Sequence, residues 1–190
     1  MKNVVNLRFG VISGMILLAA ISRFLPVAMP SLSNFSPVGA MALFGGAYFT
    51  RKSWAFAVPL FALWVSNLVL NNVFYKQYYP TFSFGFETTV FISIAVMVAV
   101  GIVVLKKVNV ANVLLANLLG TVAFFVVSNF LVWNAGTMYP RTIEGLTACF
   151  TMALPFLKNS LVSNLLFSGV MFGMYEYAKT QVKELAVVHA

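Results

Sequence analysis

The chain has 190 residues, 61% of them hydrophobic and 8% charged, where a soluble globular domain carries about 45–50% and about 25%. That balance excludes an ordinary water-soluble protein. It also leaves no length for a separate catalytic, nucleotide-binding or nucleic-acid-binding domain, because each crossing of a ~30 Å hydrocarbon core takes about 20 apolar residues. The formal charge of +8, from 12 Lys and Arg against 4 acidic residues, reads as topology and contact with membrane lipid, with no nucleic-acid partner.

Continuous rather than alternating apolar runs predict an all-α polytopic membrane protein, one integral domain over residues 1–190 with about six transmembrane helices. The first span covers about 9–26. Lys2 and Arg8 ahead of it and Ala20-Ile21-Ser22 at its end also have the pattern of a secretory signal; a retained span is the expectation. The second, about 37–49, reaches only ~20 Å as a helix. It must be tilted, surrounded by thinned lipid or buried in protein. Spans at about 54–74, 88–105 and 110–133 follow, and the last is at about 159–177. Between these, Leu146–Leu157 carries Pro155 and is too short to cross, which predicts a re-entrant or interfacial helix leading into the last span.

An even number of crossings puts Lys2, Arg8, Arg51, Lys52, Lys106, Lys107, Lys179 and Lys183 on one side. Arg23, Lys76, Arg141 and Lys158 fall on the other. By the positive-inside rule the first side is cytoplasmic, which predicts a multi-pass protein of the cell (inner) membrane with both termini in the cytoplasm.

This orientation gives the intramembrane polar residues a depth. Ser66, Asn67, Asn71 and Asn72 of the third span, Ser128, Asn129 and Asn134 of the fifth, and Asn159, Ser160, Ser163 and Asn164 of the last lie in the outer half. Asn34 and Ser36 precede the second span on the same side, while Ser13, Asn112 and Asn117 lie in the inner half. Helical spacing groups Trp64 with Asn67 and Asn71, Phe125 with Asn129 and Trp133, and Ser160 with Asn164 and Phe167. Amides and hydroxyls beside flat apolar faces suit a pocket for a small, polar-edged solute. The candidate solute-binding residues are Asn34, Trp64, Asn67, Asn71, Ser128, Asn129, Trp133, Tyr139, Arg141 and Asn164. For any single Asn the competing reading is a hydrogen bond between packed helices, of about 0.6–2 kcal/mol; the one-sided depth of the cluster favours a cavity. The tripeptide Val-Ser-Asn recurs at 65–67, 127–129 and 162–164.

The aromatic connections at 75–86 and 134–141 read as an interfacial belt or as a lid. Arg141 has three available partners: an anionic ligand group, Glu144 or a lipid phosphate. Small residues form two faces, Gly10 with Gly14 and Gly39 with Ala42 and Gly46, suited either to packing inside the bundle or to docking a partner membrane subunit.

Reactive chemistry is sparse. The single cysteine, Cys149, excludes an internal disulfide, and the single histidine, His189, stands next to the last residue, so no metal site, cofactor or catalytic residue is expected. Glu87 and Glu144 sit beside helix starts with no histidine base near them, and an enzyme is not expected.

Three segments carry a resemblance: Asn34-Phe35-Ser36-Pro37-Val38-Gly39-Ala40-Met41-Ala42-Leu43-Phe44-Gly45-Gly46-Ala47-Tyr48, Ser128-Asn129-Phe130-Leu131-Val132-Trp133, and Tyr139-Pro140-Arg141-Thr142-Ile143-Glu144-Gly145-Leu146. On these the chain resembles a family of small uncharacterised bacterial membrane proteins. In length, span number and a short Gly/Ala-rich helix, their layout resembles the substrate-binding S components of energy-coupling factor transporters. The resemblance implies capture of a micronutrient in an outward-facing pocket and work with a separate transmembrane coupling subunit and cytoplasmic ATPases; the alternatives are a membrane structural or assembly protein without a solute pocket, or an unassisted carrier. The chain's lack of a phosphate-binding Gly-Lys-Ser/Thr loop agrees. It departs from the nickel and cobalt versions, whose N-terminal Met-His is here Met1-Lys2, and from related sequences with Asp where this chain has Asn67.

Overall fold

Residues 2–29 and 35–186 are described by a computed structural model, and their regular elements are all helical. Helix α1, Lys2–Ile21, runs on through a 3-10 turn at Ser22–Phe24 and a helical turn at Leu25–Ala28. Pro26 opens that last turn, where its missing N–H costs nothing. Helix α2 is Val38–Tyr48 and α3 is Lys52–Val69, the latter prolonged by a π turn at Leu70–Phe74. After a 3-10 turn at Lys76–Tyr78 come α4, Thr88–Val104, and α5, Val110–Ala135. Helix α6 is Ile143–Gln181, followed by a short α7 at Lys183–Ala186. Side chains mark the boundaries: Asn109 caps α5 by accepting from the Asn112 N–H, and Thr142 caps α6 by accepting from Gly145. Gly136 ends α5 in the left-handed region, φ 69°.

Helix α2 is apolar on every side, and such a helix belongs inside a bundle. Every residue in it except Ala47 is buried, and it touches α1, α3, α4, α5 and α6. Burial in protein therefore resolves the problem of the short second span. Glycine sets the approach to α4: a Cβ on Gly46 would stand 2.7 Å from the Val98 carbonyl oxygen, and one on Gly101 would stand 2.9 Å from that of Leu43. Around α2 the core is filled by Ile12, Ile16, Leu63, Met97 and Val98, with Phe44, Tyr48, Phe172 and Tyr175 packed ring to ring at one end.

The expected interfacial helix and last span are not separate elements. They form one helix through Pro155, because a proline forfeits a single N–H bond and bends a helix without having to end it. The contacts with α5 locate the bend. Cys149 meets Asn129, Asn164 meets Thr121 and Ser168 meets Asn117. From the first contact to the second, α6 advances 15 residues while α5 returns only 8. The excess is about 10 Å of helix, so α6 bows away from α5 across Pro155.

Three helical stretches are long and apolar enough to cross a membrane: Leu7–Ala28, Lys52–Phe74 and Val110–Ala135. Val38–Tyr48 and Thr88–Val104 are apolar but shorter. Large apolar side chains such as Leu18, Leu118, Val126 and Leu166 face outward, while Ser93, Asn117, Thr121, Ser163 and Ser168 are buried. This distribution, reversed from that of a soluble bundle, is compatible with a membrane protein.

Candidate functional site

A cleft of about 380 Å³ opens at the end of the bundle where α1 breaks, α2 begins and α3 ends. Its size is that of a small-ligand site. Leu63, Ile94, Met97 and Phe124 supply apolar wall, and the serines Ser36, Ser160 and Ser163 line it as well. Three amides, Asn67, Asn71 and Asn164, are joined there by Arg23, Glu87, Tyr75 and Tyr79.

Each polar group is positioned by a local feature of the chain. The 3-10 turn at Ser22–Phe24 carries Arg23 off α1, and Ser22 Oγ donates to the Ala19 carbonyl at 2.7 Å. Arg23 Nη1 donates to the Leu63 carbonyl at 3.1 Å and to Ser66 Oγ. Asn164, buried on α6, donates to Thr121 Oγ1 at 3.0 Å. It lies directly against Gly39, where any Cβ would overlap the Asn164 amide.

Asn67, Asn71 and Asn72 strap the following loop onto the end of α3. Asn67 Nδ2 donates to the Gly85 carbonyl at 3.0 Å and Asn71 Nδ2 to Ser83 Oγ at 3.1 Å. Asn72 forms a reciprocal pair with Ser83, giving to its carbonyl at 2.8 Å and accepting from its N–H at 2.9 Å. The π turn places Asn71 and Asn72 so that both reach Ser83. Gly85 is needed for its φ of 70°, and its backbone lies close on Leu68 and Asn67. Trp64 adds a bond from Nε1 to the Phe84 carbonyl at 2.8 Å and stacks on Phe86 with ring centroids 5.6 Å apart. The strapped loop brings Tyr79 and Glu87 to the mouth of the cleft, where the Tyr79 hydroxyl donates to Glu87 Oε1 at 3.4 Å. Partial burial, with the negative charge of Glu87 and this bond, pushes the Tyr79 phenol above its ordinary value.

The sequence-derived candidates thus divide by location. Asn67, Asn71 and Asn164 meet in the cleft, and Trp64 stands beside it as part of the strap. Ser128, Asn129, Trp133, Tyr139 and Arg141 do not line it. Ser128 and Asn129 donate to the Phe125 carbonyl of their own helix, and Asn129 accepts from the buried Cys149 thiol. Trp133 Nε1 donates to the carbonyls of Pro140 and Thr142 at 3.0 and 3.2 Å, and Arg141 packs on Gly136. This second group closes the seam between α5 and α6. Asn34 lies outside the described residues.

Arg23, Glu87, Tyr75 and Tyr79 were not among the candidates. The signal for Arg23 was its position: a charge within an apolar span, just ahead of Pro26.

The small-residue faces divide too. Gly39, Ala42 and Gly46 are buried against the chain's own α4 and α6, so they offer no surface to a partner. A Cβ on Gly10 or Gly14 would meet nothing within 4 Å, and the same holds for Gly169 and Gly173. At the opposite end of the bundle, the Tyr48 hydroxyl donates to Glu176, which also pairs with Lys179 at 2.8 Å, and Arg8 donates to the Tyr48 carbonyl at 2.9 Å. No three His, Cys, Asp or Glu side chains gather among the described residues.

A family described as of unknown function (DUF6580) matches residues 3–185. No curated protein matches the chain. No solved structure matches it.

Proposed function

The chain belongs to that family of unknown function, and from its own cleft we propose that it is an integral membrane protein that captures a small solute for uptake. The supporting observation is the cleft itself: a half-buried arginine, an exposed glutamate, amides and hydroxyls line one end of a bundle whose outside is apolar. A charge placed within a membrane span is costly and is kept where it meets a ligand or a partner charge. The apolar runs support about six crossings, and with an even number of them the split of Lys and Arg supports both termini in the cytoplasm of the cell membrane. In that orientation the cleft faces outward, since Arg23 and Lys76 fall on the side opposite the termini.

Inward release against a gradient requires an energy source, and these residues hold no phosphate-binding Gly-Lys-Ser/Thr loop to supply one. The proposal, supported by the sequence resemblance, is that a transmembrane coupling subunit with cytoplasmic ATPases supplies it, as for S components of energy-coupling factor transporters. Gly10 and Gly14, small and open on α1, are the candidate contact.

The test is purification from the native host in mild detergent, followed by mass spectrometry of small molecules and proteins that co-elute. The wild-type chain is expected to carry a solute that Asn164→Leu has lost, together with a coupling subunit and ATPases. A folded wild-type chain that carries and binds no solute would refute the reading. An unaccompanied chain that still holds solute would leave capture and remove the ATPase coupling.

A further inference from the structure

Arg23 and Glu87 line the same cleft. They nevertheless form no ion pair; the pair found among the described residues is Lys179–Glu176. Glu87 is exposed at the mouth, whereas Arg23 is half-buried further in. Both hydrogen bonds of Arg23 among the described residues run through Nη1, and a guanidinium carries five N–H donors in a planar fork suited to a carboxylate. Glu87 in turn offers an acceptor-only carboxylate, already oriented by Tyr79.

Two opposite charges that line one ligand-sized cleft without pairing are completed by a molecule that carries both. Resting on the reading of the cleft as a solute site, we propose that the solute is an amino-acid zwitterion, its carboxylate on Arg23 and its ammonium on Glu87. The amides of Asn67, Asn71 and Asn164 then offer hydrogen bonds to its polar edge, and Ile94, Met97 and Phe124 offer an apolar wall to its side chain. A neutral solute would leave both groups with uncharged partners only. A simple anion would leave Glu87 repelling it at the entrance.

The full-length protein in lipid nanodiscs tests this by calorimetric binding of the standard amino acids, each beside its deaminated acid and its decarboxylated amine. At least one amino acid should bind, with both of its counterparts weaker by about tenfold or more, the loss expected for one charge-assisted hydrogen-bonded contact. In Glu87→Gln, altered at an exposed position, the deaminated acid should bind nearly as well as the amino acid, while the amine remains poor. Arg23→Met should abolish preference for the carboxylate; if that variant does not fold, Glu87→Gln decides. Equal binding of an amino acid and either counterpart, unchanged discrimination in Glu87→Gln, or binding of no amino acid would overturn the inference. In that event, mass spectrometry of wild-type protein from the host separates the two claims. A co-purified solute of other chemistry leaves the capture reading standing, and no solute removes both.

Discussion

The end of α3 and the end of α5 begin from nearly the same chemistry. Each carries Val-Ser-Asn, each has a tryptophan on the Asn face, and each is followed by an aromatic connection. In both, the indole N–H donates to a carbonyl of that connection: Trp64 to Phe84, and Trp133 to Pro140 and Thr142. The outcomes differ. Beyond α3 the strapped loop delivers Glu87 and Tyr79 to a gap that Arg23 enters from the break in α1. Beyond α5 the connection turns straight into α6, and Cys149 packs onto Asn129, which does not line the cleft. An amide and an indole on one helical face therefore fold a loop down. A site arises only where charged groups from other elements meet a space that packing has left.

The largest effects should separate packed glycines from open ones. Gly46→Val would drive its side chain into the α4 backbone at Val98 and Ile102, with destabilisation of about 3 kcal/mol or more, since backbone cannot yield as a side-chain tip can. Gly14→Val, at a position open on α1, should stay within about 0.5 kcal/mol. Thermal unfolding in detergent, read by tryptophan fluorescence, measures both.

The straps come next. Asn67→Leu leaves the Gly85 carbonyl without its donor and should cost about 1–3 kcal/mol. Amide hydrogen exchange should rise across 83–87 and solute binding should be lost. Trp133→Phe breaks the equivalent strap beyond α5 and should cost about 0.5–1.5 kcal/mol with solute affinity unchanged. If Trp133→Phe abolished binding and Asn67→Leu did not, the assignment of the two regions would be reversed.

The smallest effect is at the start of α6. The Glu144 carboxyl is held below its ordinary value of 4.5 by its own backbone N–H and by the Thr142 hydroxyl. A depressed folded value stabilises the fold above the unfolded value, and this is lost as pH falls through the folded one. Acid unfolding curves of the wild type and Glu144→Gln should therefore converge below that range and separate above it. The exposed carboxylate keeps the difference small.

Much of the fold was legible because composition and run length report directly on helices in an apolar environment. The short Gly-rich helix was legible as a problem, with burial in protein among its solutions. Pro155 misled, since a proline reads as a break in a short apolar run but acts as a bend inside a helix of 39 residues. In the site, Asn67, Asn71 and Asn164 were legible from one-sided depth. Their distinction from Asn129 was not, because it depends on what packs opposite, and helical spacing on one element carries no information about its neighbours. In the sequence Arg23 reads as a topology charge, although the break in α1 turns it into the cleft. Glu87 reads as a helix-start carboxylate; that it lines the cleft with Arg23 depends on the strap made by Asn67, Asn71 and Asn72.

An outward-facing cleft that captures solute is tested most directly by labelling Tyr79→Cys, in a Cys149→Ser background, with a membrane-impermeant maleimide on intact cells. The cysteine should react in unbroken cells and be protected by the solute recovered from the wild-type protein. Reaction only after lysis, or reaction at the same rate with and without that solute, would contradict it.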